Sequence, residues 1–289
     1  MISVMKTAIC TTVLLCSGLL AYAPNVEQAQ KLYDRTDYAA AIKILQAETK
    51  KDGHAWALLG QSYFMQADFK RATDAFQEAV AAEPGKSEFV HWLGRAWGRR
   101  AELSNPLFAP SYASKARQCF ERAVALDGSN REALNDLFDY YLEAPGFLGG
   151  GFQKAEALIH QIEAQDPAEG SFARAQLAER RNQFDAAELQ LRRAVELAPK
   201  EVGRILDLAS NLSKRGRVQE SEAAFARAQN LAPNSPDVLY RRAEIYVRDG
   251  RNLDKARVLL EKYLASSNLT PDDPPREKAQ ALLQKAKRA

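Results

Sequence analysis

Apolar residues recur at intervals of three and four along most of the chain, with polar residues between them. Residues 55–84 show the pattern clearly, because two apolar faces of helical spacing are separated by the short polar stretch 66–68. The first face consists of Trp56, Leu59, Gly60 and Tyr63, and the second consists of Phe69, Ala72, Phe76 and Ala79. Pro84 lacks an N–H and cannot continue the second helix. The pattern predicts a pair of helices joined by a tight turn.

The same pattern returns along the chain with a period of 34 residues. Leu59 is followed by Leu93 at this distance, and Gly216 is followed by Gly250. A single pair of helices cannot cover its own apolar faces, so each pair must stack on the next. We therefore expect an all-α fold made of repeated helix pairs.

The residues of segment 55–84 resemble one known kind of repeat in their order and spacing. The matching positions are Trp56, Leu59, Gly60, Tyr63, Ala72, Phe76, Ala79 and Pro84, and the pattern resembles that of the tetratricopeptide repeat family. The resemblance covers nearly the whole chain after residue 25. It implies a right-handed superhelical solenoid whose concave side binds other proteins.

About seven such units are expected between residues 26 and 264. The last of them carries one extra residue near Asn252. The polar sequence PPREKAQALLQKAKRA then predicts a capping helix within residues 271–289, which would cover the final apolar face. No linker interrupts the series, so residues 25–289 are predicted to form a single domain.

Two consecutive units are longer than the others. The interval from Leu93 to Ala116 is 23 residues, against 13 from Leu59 to Ala72, and the interval from Leu137 to Ala155 is 18. Both insertions are predicted to be loops between the two helices of a unit, over residues 104–114 and 144–152. Packed helices lie about 8–10 Å apart, so the two loops are expected to share one edge of the solenoid.

The second insertion contains the sequence GFLGGG, in which glycines could cradle a phosphate. A nucleotide-binding loop of this kind ends in Gly-Lys-Ser or Gly-Lys-Thr, whereas here Gly151 is followed by FQKA. The glycines instead predict a tight turn with positive φ angles. The turn also resembles a subfamily of bacterial tetratricopeptide proteins with Ala-Pro-Gly and Gly-Gly-Gly turns, which implies no activity.

The two inserted segments are rich in apolar side chains, among them Phe108 and Phe147. One hypothesis is that they form a partner-binding edge. The alternative is that Phe108 and Phe147 pack on each other, because apolar surface is usually buried.

The first helices of the units are expected to line the concave groove. Positions next to the buried Leu and Gly residues are the candidates for binding a partner, and they are Gln61, His91, Arg95, Arg99, Asn135, Asp139, Glu143 and Tyr240. The basic stripe of the third unit lies beside the acidic stripe of the fourth, which indicates pairing between neighbouring helices. The mixture suits an extended peptide or a partner helix.

Residues 1–23 have the features of a secretory leader. A single lysine, Lys6, precedes an uncharged run that ends in Ala21 and Ala23 around Tyr22. We expect export to the periplasm or secretion from the cell, with cleavage after Ala23. Because Pro24 follows the cleavage site directly, a retained membrane anchor is the alternative.

Cys119 is the only cysteine outside this leader, since Cys10 and Cys16 lie within it. It lies on a helical pattern and is expected to be a small buried side chain. An internal disulfide is therefore not expected in the exported chain.

Charge and chemistry-bearing residues narrow the function further. The chain has 40 basic and 37 acidic residues without a dense basic block, so no nucleic-acid partner is expected. His54, His91 and His160 have no metal-ligand spacing, and neither a catalytic set nor a cofactor motif is present. We expect a non-catalytic scaffold for a protein or peptide partner. The alternatives are a membrane-anchored assembly factor for an envelope or pilus machine, and an enzyme with a site at the looped edge.

Overall fold

The computed structural model describes residues 24–267, 269–270 and 272–288, and the leader lies outside these ranges. The described residues form fifteen α-helices in seven consecutive pairs with one helix after them, which confirms the predicted all-α repeat fold. The pairs are α1 (Pro24–Asp34) with α2 (Tyr38–Ala47), α3 (Gly53–Met65) with α4 (Phe69–Ala82), α5 (Ser87–Leu103) with α6 (Ala109–Leu126), α7 (Arg131–Glu143) with α8 (Phe152–Gln165), α9 (Pro167–Arg180) with α10 (Phe184–Leu197), α11 (Val202–Lys214) with α12 (Val218–Leu231), and α13 (Pro236–Arg248) with α14 (Leu253–Ala265), and the last helix is α15 (Arg276–Arg288).

The helices stack in chain order and form a superhelix. Each helix packs on the next one, from α1 to α15. Most odd-numbered helices also pack on the following odd-numbered helix, whereas the even-numbered helices of the described chain make no comparable contact with one another. The odd-numbered helices therefore form the inner, concave wall, and the even-numbered helices lie outside.

The hydrophobic core extends along the superhelix instead of collecting at one centre. Four clusters of buried side chains follow one another along the chain, and neighbouring clusters meet at α7, α9 and α13. Each cluster is made by adjacent helix pairs, as expected when a pair can bury its apolar face only on its neighbours.

The second unit shows how the sequence fixes a pair. Phe76 on α4 is fully buried and lies so close to α3 that a Cβ atom built at Gly60 would be 2.7 Å from its ring. The side chains of Asp52 and Asp68 accept hydrogen bonds from backbone N–H groups in the first turns of α3 and α4. Such caps satisfy amides that have no partner within the helix.

The insertion of the third unit is mostly helical, so the predicted loop over 104–114 is wrong in its second half. α5 has 17 residues and α6 has 18, against 13 and 14 in α3 and α4, and only residues 104–108 form the turn. Pro110 lies in the first turn of α6, where its missing N–H costs nothing. Tyr112 on α6 stacks on Trp97 of α5, which packs the added first turn of α6 on α5.

The insertion of the fourth unit is the predicted glycine turn. Residues 146–148 form one turn of 3-10 helix, and Gly149 and Gly151 have φ angles of 88° and 151°. The positive φ angles confirm the turn interpretation. Phe152 then begins α8.

The end of the chain also follows the repeat pattern. Asn252, at the predicted extra residue, adopts a left-handed conformation with φ of 50° directly before α14. The capping helix α15 begins at Arg276 and buries Ala279, Leu283 and Ala286. None of the helices that the structure describes is both long and apolar enough to cross a membrane.

Candidate functional site

The concave wall formed by the odd-numbered helices is the main candidate site. Several of the expected groove residues keep part of their surface open to solvent there. They are Gln61, Arg95, Arg99, Asn135, Asp139 and Glu143.

Two expected groove residues do not line an open wall. His91 is only 2% exposed, because α7 covers it, and its Nε2 atom lies 2.7 Å from Oδ2 of Asp136. Tyr240 is also buried, with its ring centroid 5.2 Å from that of Tyr263 on α14. Both expectations were wrong because spacing along one helix does not reveal how far the next helix covers it.

The pairing between the third and fourth units uses a residue that the sequence reasoning missed. Asp136 contacts His91 and also lies 4.0 Å from Nε of Arg95. Glu143 instead forms an ion pair with Arg180 on α9. The predicted pairing of neighbouring helices exists, but its acidic residue is Asp136 instead of Asp139 or Glu143.

Arg95 lies on an aromatic surface in the groove. The centre of its guanidinium group is 4.5 Å from the ring centroid of Trp92 and 5.1 Å from that of Phe64. Arg99, one turn later, lies 5.3 Å from the centroid of Phe69. A guanidinium group above an aromatic face is attracted by the ring electrons and is held in one orientation.

The outer end of the Arg95 guanidinium group contacts a distant part of the chain. Its Nη2 atom donates a hydrogen bond of 2.8 Å to Oδ2 of Asp272, which lies 177 residues later. The contact therefore joins the third unit to the segment between α14 and α15.

Asp139 is the most unusual carboxyl group of the wall. The residue is exposed at the surface of the concave wall, and its carboxyl group lies near those of Asp136 and Glu169. Burial raises its pKa from the usual 3.8 to about 7, and the nearby carboxylates of Asp136 and Glu169 add to the effect, which Arg204 partly offsets. Ionisation of Asp139 is therefore less favourable than that of an ordinary aspartate.

A cavity of about 510 Å³ connects the groove to the inserted turn of the fourth unit. Its lining combines aromatic and charged side chains, and includes Phe64, Arg95, Phe120, Asp136, Tyr140 and Leu148. The hydroxyl of Tyr140 donates a hydrogen bond of 2.9 Å to the carbonyl oxygen of Leu148, which fixes the turn beside the cavity. The groove and the looped edge are thus continuous.

A larger cleft of about 1320 Å³ lies in the second half of the chain, around the turn between α9 and α10. Its charged side chains are paired with each other, for example Lys214 with Glu179 at 3.8 Å and Arg215 with Asp185. The cleft lacks the aromatic surface on which Arg95 lies, and Phe184 is the one aromatic side chain in its lining.

The looped edge carries apolar side chains that nothing covers. Phe147 is 82% exposed, Leu107 is 81% exposed and Phe108 is 51% exposed. Mutual packing of Phe108 and Phe147, one of the two alternatives, therefore does not bury either ring. Within the described ranges, no group of His, Cys, Asp or Glu side chains is arranged to hold a metal ion.

A sequence profile described as "Tetratricopeptide repeat" matches residues 26–87, 149–202 and 206–274, which together make up more than half of the chain. No curated protein sequence matches this chain. Among solved structures, a tetratricopeptide repeat protein from Parabacteroides merdae has 14% identity and a TM-score of 0.66, over 91% of this chain and 97% of that chain.

A tetratricopeptide repeat protein from Thermus thermophilus has 22% identity and a TM-score of 0.53, over 65% of this chain and 97% of that chain. A chain of the APC/C hetero-tetramer Cut9-Hcn1 has 15% identity and a TM-score of 0.52, over 91% of this chain and 45% of that chain. At these identities the similarity concerns the fold alone.

Proposed function

The chain belongs to the tetratricopeptide repeat family, and we propose that it is an exported, non-catalytic scaffold which holds a peptide or partner protein in its concave groove. Proteins of this repeat type generally act through protein interactions, and stacked helix pairs offer an extended concave surface for them. In this proposal residues 25–289 act as one unit, without a cofactor.

One observation carries the groove assignment. The wall already accepts a segment that is not part of the inner helices, since Asp272 reaches Arg95 from 177 residues away. The cavity beside this contact is open and combines aromatic surface with charges. Such a surface fits an extended peptide, which is held by alternating apolar and polar contacts.

Site-directed photocrosslinking in the native cell envelope tests the groove. The photoreactive amino acid benzoylphenylalanine would replace Gly98, which lines the cavity and has no atom within 4 Å of a Cβ built there. Gln77, exposed on the outer helix α4, is the matched control position. We expect a crosslinked partner from Gly98 and none from Gln77. Crosslinks from Gln77 alone would contradict the proposal.

The proposed export rests on residues 1–23, with their single lysine, apolar run and small residues Ala21 and Ala23. Sequencing the mature N-terminus should find Pro24 first. A full-length exported chain that stays in the membrane pellet after a high-salt wash would instead support a membrane-anchored assembly factor. A chain that remains in the cytoplasm would contradict export altogether.

The looped edge is a second candidate contact surface, favoured by the exposure of Phe108 and Phe147. Replacing both with alanine should weaken partner capture while leaving the melting temperature nearly unchanged, because exposed side chains contribute little to stability. Val258→Ala, at a half-exposed position of α14, is the control and should leave capture unchanged. If the double variant lowers stability and retains full capture, the edge does not bind the partner.

A further inference from the structure

The segment 266–275 connects α14 to α15, and we call it the strap. Its described residues are fastened at both ends. The hydroxyl of Tyr263 donates a hydrogen bond to the carbonyl oxygen of Pro274, and Arg276 donates one of 2.6 Å to the carbonyl oxygen of Ser266. These bonds hold the base of the strap to α14.

An internal turn shapes the middle of the strap. Asp273 accepts hydrogen bonds from the backbone N–H of Thr270 at 2.7 Å and from the Thr270 hydroxyl at 3.0 Å. A short acidic side chain that bonds to nearby backbone in this way stabilises a turn locally. Asp273 therefore forms hydrogen bonds within the strap, whereas the adjacent Asp272 accepts one from Arg95.

The two sides of the contact between Asp272 and Arg95 are unequal. The Arg95 side chain is 23% exposed and lies against Trp92 and Phe64, whereas the Asp272 side chain is 57% exposed. Arg95 is thus a preorganised receptor on a rigid helix, and Asp272 is a ligand on an exposed connection. A planar guanidinium group that is held by stacking loses little entropy when it binds a carboxylate.

Acidic residues near Arg95 do not fill this site. Asp136 lies 2.7 Å from the His91 ring but 4.0 Å from Arg95, and Glu143 is paired with Arg180. The raised pKa of Asp139, about 7, leaves this carboxyl group partly protonated at neutral pH. These three acidic residues therefore repel an incoming carboxylate less than three full negative charges would.

We propose that Arg95, on its aromatic surface of Trp92 and Phe64, is the site where the groove recognises a carboxylate of an acidic partner segment, and that Asp272 of the strap occupies this site in the free protein. The inference rests on the proposed scaffold function and names the partner's chemistry. The strap acts as an internal competitor that an acidic protein segment displaces.

The strength of the contact sets the expected effect. Exposed ion pairs contribute about 0–1 kcal/mol, so the strap occupies the site only a few times more often than it leaves it. Affinity for an external ligand falls in proportion to the fraction of open sites. Removing the internal carboxylate should accordingly raise the affinity by about two- to fivefold.

The probe is a fluorescent peptide with the sequence SSNLTPDDPPR, which copies residues 266–276. Fluorescence anisotropy would measure its binding to the purified chain. We expect tighter binding to the Asp272→Asn chain than to the unchanged chain. A peptide with asparagine in place of both aspartates should bind about two- to fivefold more weakly, because it loses the same ion pair with Arg95.

Variants of Arg95 test the site itself. In the Asp272→Asn background, Arg95→Gln should reduce peptide binding to the level of the asparagine peptide, and Arg95→Lys should give an intermediate affinity because it keeps the charge but loses the planar stack. Arg71→Gln is the matched control. Arg71 also lies over an aromatic ring, at 5.3 Å from the centroid of Tyr63, and also pairs with an aspartate, Asp68.

Two results would overturn the inference. Equal peptide affinity with and without Asp272→Asn would show that the strap does not compete, and binding that survives both Arg95 variants would place the carboxylate elsewhere. Either result leaves the scaffold proposal standing if Gly98 still gives crosslinks. Conversely, a peptide response without any groove crosslink would contradict the scaffold proposal and leave the carboxylate site intact.

Discussion

The backbone at Gly150 passes so close to Ala144 that a Cβ atom built at Gly150 would lie 1.8 Å from the Ala144 carbonyl oxygen. The contact closes the inserted turn of the fourth unit onto the end of α7. The N–H of Gly151 reinforces it with a hydrogen bond of 2.8 Å to the carbonyl oxygen of Tyr141. The turn beside the groove therefore requires a residue without a side chain at position 150.

Gly150→Ala should destabilise the protein by about 1–3 kcal/mol, because the backbone must shift to relieve the clash. Gly146→Ala is the control within the same turn, since a Cβ atom there meets nothing within 4 Å. Urea denaturation of both variants measures the effect. Equal stability of the two variants would mean that the approach of Gly150 to Ala144 is looser than described.

Two glycines of α5 should respond with opposite signs. A Cβ atom at Gly94 would lie 2.6 Å from the ring of Phe120, so Gly94→Ala should cost about 1–3 kcal/mol. A Cβ atom at Gly98 meets nothing within 4 Å, so Gly98→Ala should stabilise the helix by about 1 kcal/mol. Denaturation midpoints of the two variants test this, and a destabilised Gly98→Ala chain would contradict the described packing.

The raised pKa of Asp139 predicts a pH dependence of stability. Folding raises this pKa from 3.8 to about 7, so the folded state retains a proton that the unfolded state has released. The contribution of Asp139 to stability is therefore fully present below about pH 4 and is lost as the pH rises through about 7. The stability of Asp139→Asn relative to the unchanged protein should therefore increase from about pH 4 to about pH 7 and level off above it.

Denaturation at several pH values measures this difference. Asp74→Asn, at an exposed position of α4, controls for the replacement of a carboxylate by an amide. A stability difference between Asp139→Asn and the unchanged protein that stays constant from pH 5 to pH 8 would argue against the raised pKa.

Cys119 should react slowly in the folded protein. Burial raises the pKa of its thiol from 9.0 to about 11, which lowers the thiolate fraction at neutral pH by about a hundredfold. Iodoacetamide labelling of the peptide that contains Cys119, followed by mass spectrometry, measures the rate. Labelling in guanidinium chloride is the control and should be fast. Equal rates in the two conditions would contradict the burial of the thiol.

The local architecture could be predicted from the sequence. The spacing of residues such as Leu59 and Tyr63 gives one apolar face per helix, and Gly60 allows the close approach of Phe76. These effects act within one unit of 34 residues, so they can be read from neighbouring positions. The glycine turn was predictable for the same reason, because positive φ at Gly149 and Gly151 is a local property.

The insertion of the third unit shows a limit of this reasoning. The extra residues between Leu93 and Ala116 indicate additional length but not its form, and the structure uses most of them to lengthen α5 and α6. The stacking of Tyr112 on Trp97 packs the added turn of α6 on α5. That contact depends on where both helices end, which spacing alone did not reveal.

The sequence by itself determined the repeating helix pairs and the tight glycine turn, because spacing and positive φ act over a few residues. Only the tertiary structure decided that His91 is covered by α7, that the carboxyl group of Asp139 lies near those of Asp136 and Glu169, and that Asp272 meets Arg95. These relationships depend on the way small rotations accumulate from unit to unit. A contact between residues 177 positions apart has no local signal, since it exists only after the superhelix has curved far enough to bring the segment after α14 to the third unit.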